Sequence, residues 1–159
     1  MMIKPYATVL SSFASRFSEI GFAMSNDADF TMTFSNGSYS IEISTEKYYH
    51  PSITTRFLDA SGGKFSMRLV REILSPEQLI KDSKDLNAIK LHYHLDEPVV
   101  DIDMQEKGVI AFVSLAMEQL LDFLSSHKDE LFAMNDSFKT EYATREKALL
   151  KNFGLEVGK

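Results

Sequence analysis

Cysteine is absent from the 159 residues, so the chain has no disulfide, no thiol nucleophile and no thiolate-held metal. Glycine is scarce, seven residues in all, and none falls in a P-loop or a G-x-G-x-x-G pattern. That leaves little room for the backbone cradles of nucleotide enzymes. G-x-S-x-G, HExxH and the EF-hand loop are missing as well. No uninterrupted apolar run approaches the roughly 18 residues that cross a bilayer. The N-terminal segment lacks a signal peptide's apolar stretch, since Arg16 and Glu19 soon break it. Basic residues are also short, 17 against 23 acidic ones, for a net charge of −6. A general nucleic-acid binder needs a basic stripe, and an anionic membrane surface attracts basic segments, so neither is an expected partner. A basic protein is. The expected location is the cytoplasm, and no cofactor is expected.

What is present reads as one α+β domain over residues 1–159, with 44% hydrophobic and 25% charged residues. From Pro5 to about Ile20, Tyr6, Val9, Leu10, Phe13 and Phe17 recur at helical spacing. Gly21 suits the position after the helix, with Phe22 turning back in a Schellman ending. The period then becomes two. Phe30, Met32 and Phe34 alternate with polar residues, as do Tyr39, Ile41 and Ile43 after Asn36-Gly37. An Asn-Gly two-residue loop predicts Phe34 opposite Tyr39 and Met32 opposite Ile41, with all apolar residues on one face. A second hairpin is predicted over Ser52 to about Arg71, turning at Ser61-Gly62-Gly63 and setting Phe57 against Met67.

Ser75-Pro76-Glu77-Gln78 has the pattern of a capping box and predicts a short helix ending near Asp85. Ile89, Leu91, Tyr93 and Leu95 alternate with polar residues and predict a fifth strand; a helix there would put Asp82, Ser83 and Lys90 on its apolar stripe. Asp103 with Glu106 can cap a central helix from Met104 to about Ser126 or beyond, and a last helix runs from about Ser137 to Asn152. The expected fold is an antiparallel sheet of about five strands, two hairpins plus one strand, with helices on one face. The element order is α-ββββ-α-β-α-α.

Candidate sites are few. On a strand, His92 and His94 would point the same way and could share a metal, though two histidines do not make a ligand set; solvent-facing alternation accounts for them equally. No carboxylate pair stands out for acid–base chemistry. Tyr48 and Tyr49 form an aromatic loop able to anchor a protein partner. Asp96, Glu97 and Asp101, in the acidic stretch 96–106, offer a surface to a basic protein.

The texture of SNGSYSIEIS, of EKYYHPSI and of the later helix resembles the immunity proteins that neutralise polymorphic or contact-delivered bacterial toxins. The element order is also similar to type III secretion chaperones, although Ser61-Gly62-Gly63 turns into a fourth strand where that group usually has a helix. The first resemblance implies a non-enzymatic, cytosolic inhibitor that occludes a basic toxin through an acidic, Tyr-bearing surface. The alternatives are a small-molecule-binding or metal-dependent domain with a pocket between sheet and long helix, and a chaperone-like or assembly protein dimerising through its C-terminal helices.

Overall fold

A computed structural model describes residues 4–28, 30–45, 52–98 and 101–152. It is an α+β fold with a five-stranded antiparallel sheet, as the alternating patterns imply. Two short helices come first, α1 (Lys4–Ser12) and α2 (Ala14–Glu19), so the predicted single helix breaks at Phe13. The apolar stripe survives the break, and Tyr6, Leu10 and Phe17 are fully buried. The ending is the one expected. Gly21 takes φ +92°, and the N–H groups of Phe22 and Gly21 donate to the carbonyls of Phe17 and Ser18 at 2.9 and 3.0 Å.

The sheet is a meander of β1 (Ala23–Ala28), β2 (Thr31–Ser35), β3 (Ser40–Thr45), β4 (Ile53–Leu58) and β5 (Lys64–Ser66). Both predicted hairpins form, and both are slipped by two residues. Phe34 pairs with Ile41 and Met32 with Ile43, while Phe57 pairs with Phe65. The first turn lies one residue later in the chain than expected and the second one residue earlier. Asn36 donates its N–H to the Tyr39 carbonyl at 3.0 Å, so the two-residue loop is Gly37-Ser38, with Gly37 at φ +95°. A glycine at the first central position is what such loops favour. The Asn36 carboxamide oxygen accepts from the N–H groups of Ser38 and Tyr39 at 3.1 and 2.8 Å, which fixes this placement. A slip of two keeps the parity, so Met32, Phe34, Ile41, Ile43 and Phe57 all lie on the buried face.

In the second hairpin the Asp59 N–H donates to the Gly63 carbonyl at 3.0 Å, enclosing Ala60-Ser61-Gly62. The Asp59 carboxylate accepts from the Ser61 hydroxyl at 2.8 Å and from the N–H groups of Ser61 and Gly63 at 3.1 and 2.7 Å. Burial alone would push this carboxyl up, but the Ser61 hydroxyl, those two N–H groups and Lys139 outweigh it, and the pKa lies below its ordinary 3.8. The stabilisation is therefore fully present above pH 3.8 and is lost as pH falls through the lower folded value. Relative to Asp59→Asn, the native chain is expected to resist urea better near neutrality and to lose that advantage below pH 3.8. Urea midpoints across that range check this; a constant difference would show that the charge is irrelevant.

The remaining differences share a cause, that helical and alternating patterns overlap in short apolar stretches. The fifth strand is β1, whose sequence AMSNDA has no apolar alternation; it is an edge strand with a bulge between Met24 and Asn26. Residues predicted to continue β5 form α3 (Met67–Leu74), and the short helix predicted to end at Asp85 runs on as α4 (Pro76–His92). The predicted 89–95 strand therefore does not exist. Along α4 the inward positions Leu79, Asp82, Leu86 and Ile89 are half-buried or buried. The objection to a helix was Asp82 on the stripe, and the structure answers it with a buried partner. Arg71 Nη2 donates to Asp82 Oδ2, and both residues are over nine-tenths buried.

The predicted capping box is also absent: Ser75 makes no side-chain cap, and Gln78 donates to Asp82 Oδ1 at 2.7 Å instead. Helix α5 (Ile102–Phe132) is capped by Asp101, which accepts from the Met104 N–H at 3.2 Å, rather than by Asp103. It forms the spine, with α1 and α4 packed along it. One stretch of α5 is long and apolar enough to cross a membrane, with a mean hydropathy of 1.5, but 56% of that stretch is buried among the other elements. At its end the Phe132 ring meets those of Phe22 and Tyr39, which lead into β1 and β3, and of Phe57 on β4. Helix α6 (Asp136–Asn152) leans on α3, held by the Tyr142 hydroxyl, which accepts from the Ser66 N–H.

Candidate functional site

Two surfaces of opposite character adjoin along α4. The first is the connection from α4 to α5. Its form follows from how α4 ends. The Leu95 N–H donates to the Lys90 carbonyl at 2.9 Å and the His94 N–H to that of Leu91 at 3.4 Å, with His94 in the left-handed region at φ +54°. This is again a Schellman ending, with a histidine where glycine is usual. Leu95 turns inward and is 1% exposed, lying over α5 at Gly108. A Cβ added to Gly108 would stand 2.5 Å from Tyr93 Cβ and 2.7 Å from Leu95 Cδ2.

This ending settles the geometry of the histidines. They lie on a helix end and a turn rather than on one strand face. His92 is exposed at the last position of α4, its ring set edge-on to Tyr93. His94 Nδ1 lies 2.8 Å from Glu97 Oε2. Among the described residues no three histidines or carboxylates come together as a metal site.

The same ending lifts the acidic residues into solvent. Asp96, Glu97, Asp101, Asp103 and Glu106 are all exposed. Asp96 reaches Lys90 Nζ at 4.0 Å, Glu97 meets His94, and Asp101 caps α5. These exposed contacts orient the carboxylates without covering them, and each is worth little energetically. Tyr48 and Tyr49 lie outside the described residues.

The second surface is a cleft of about 490 Å³ where β4, α3, α4 and α5 meet. Its apolar lining includes Met67, Leu86, Phe112, Met117 and Leu120, and its neutral polar lining Thr54, Ser83, Asn87 and Gln119. Gln119 is buried and donates to the Asp82 backbone carbonyl at 3.1 Å. The charged residues lining it are Arg68, Arg71 and Lys90. Lys90 extends over the Phe112 ring, with Nζ 5.4 Å from its centroid. A pocket between sheet and long helix is one of the alternatives the sequence offers, but its lining by Arg68, Arg71 and Lys90 is hidden when residues 67–71 and 89–95 are read as strands. On helices, those segments bring the three cations to one place.

Comparison with protein-family models, curated proteins and solved structures returned no match.

Proposed function

We propose that the chain is a non-enzymatic protein-binding module, an immunity-type inhibitor that acts in the cytoplasm by occluding a basic protein partner. The observation that supports this most is the exposed row of carboxylates on the α4–α5 connection, held in place by a helix ending and a helix cap. Fixed, solvent-facing charge of one sign speeds encounter with a partner of the other sign and rejects like-charged competitors. The Tyr48-Tyr49 loop belongs to the proposal as the aromatic anchor such an interface needs. A homodimer through α6 is a second reading, favoured by Leu149, which is 42% exposed on a helix whose inner side is held by Tyr142.

The test is a pull-down from the source organism, followed by charge reversal. Asp96→Lys with Glu97→Lys, combined with Asp101→Asn, removes the carboxylates of the connection itself while keeping an oxygen acceptor at the α5 cap. Association with the captured basic protein is expected to slow by roughly tenfold at low salt and to lose most of its salt dependence. An association rate equal to that of the native chain would remove this surface from the interface.

A further inference from the structure

The cleft is a feature that the basic-partner proposal does not use, and its chemistry runs against the rest of the molecule. The protein carries a net charge of −6, yet the charged side chains lining the cleft are cations, two from α3 and one from α4. They are not equally neutralised. Arg71 is paired with Asp82, but its Nε is buried without a hydrogen-bond partner among the described residues, in a residue only 8% exposed. A buried donor left unpaired costs free energy until something accepts from its group. Arg68 is exposed and makes no ion pair among the described residues. Lys90 lies over the Phe112 ring, and its one ion pair among the described residues is the 4.0 Å contact with the exposed Asp96.

Beside these cations lies an apolar floor of Met67, Leu86, Phe112 and Met117, with Thr54 and Asn87 as neutral hydrogen-bonding groups. The volume of about 490 Å³ falls within the range of small-molecule sites, which combine apolar walls with a few convergent polar groups. An aromatic or aliphatic body would cover the floor, and one anionic group would meet Arg68 and Lys90 at the rim. A guanidinium can grip carboxylate or phosphate with two parallel bonds, and an ammonium acts as a point charge beside it.

We propose that the cleft between α3, α4 and α5 binds a small organic anion, an apolar or aromatic body bearing one carboxylate or phosphate. The site is separate from the acidic connection, although Lys90 borders both.

The experiment titrates the ¹⁵N-labelled full chain with 2-naphthoate, 2-naphthyl phosphate and the neutral 2-naphthamide, following amide resonances. The expected result is saturable shifts confined to residues 54, 66–71, 83–90 and 112–120, produced by at least one of the two anions. The amide is expected to bind about tenfold more weakly, the worth of one charge-assisted hydrogen bond. The better anion tells carboxylate from phosphate. Arg68→Glu with Lys90→Glu, two partly exposed positions that leave the Arg71–Asp82 pair intact, is expected to weaken the anion at least tenfold with the other resonances unchanged. Equal binding of amide and anions, shifts mapping elsewhere, no saturable shift for any probe, or a double variant that binds like the native chain would each overturn the proposal.

Discussion

Asp82→Ala is expected to destabilise the chain by about 3–5 kcal/mol, the usual cost of breaking a buried ion pair from one side. The reasoning rests on what is left behind. Arg71 sits among Phe123, Asp82 and the wall of the cleft, with its guanidinium 5.4 Å from the Phe123 centroid, and the residue is 8% exposed. Without Asp82 that charge has no counter-ion, and Gln78 loses its acceptor. Removing both charges is a different matter. Arg71→Met with Asp82→Leu fills a similar volume without an unpaired charge, and such exchanges are often neutral or stabilising. Urea unfolding of Arg71→Met, Asp82→Leu and the double variant closes the cycle. A double variant as unstable as the sum of the singles would mean that the two residues act independently, and the account of the pair would fail.

Gly108→Ala is expected to destabilise as well, against the sign that helix propensity gives. Inside α5 an alanine would contribute about 1 kcal/mol over glycine. Here the new methyl would stand 2.5 Å from Tyr93 Cβ and 2.8 Å from Tyr93 Cγ. The first of these atoms is set by the backbone and cannot swing aside. Overpacking of this kind typically costs about 1–3 kcal/mol, and the clash with Leu95 adds to it, so a net loss of about 1–2 kcal/mol is expected. The relief would come from lifting the 93–95 turn off α5, which exposes Leu95. A thermal midpoint at or above that of the native chain would show that the close approach is not a constraint.

Both predictions concern residues whose roles the linear sequence conceals. Parity was legible: alternation in 30–35 and 39–45 put the correct side chains on the buried face. Register was not, because a slip of two residues preserves parity and is decided by loop N–H groups donating to the side-chain oxygens of Asn36 and Asp59. The long helix over 104–126 was plain from its broad apolar surface, and the Gly21 ending from one glycine in the right place. The edge strand β1 went unseen because its sequence AMSNDA carries no apolar alternation. The second half of α4 was misread for the converse reason. A carboxylate on an apolar stripe is evidence against a helix only if no cation lies opposite, and Arg71 lies on another element, 11 positions away in the chain. The acidic stretch could be seen as composition. The cationic lining of the cleft could not, since it depends on which of two periods residues 67–71 and 89–92 follow.

The strict meander has a consequence during synthesis. All five strands are complete once residue 66 has been made, and each pairs only with its neighbours in sequence. Cover for the Tyr39–Phe57 end of the apolar face comes from Phe132, at the far end of α5. At typical elongation rates of 5–20 residues per second, the ribosome needs roughly 3–13 s to cross the interval between them. Throughout that time Phe17 of α2 already stacks on Phe34, but Tyr39 and Phe57 stand without Phe132, so this aromatic patch is open to other chains only while the protein is still on the ribosome.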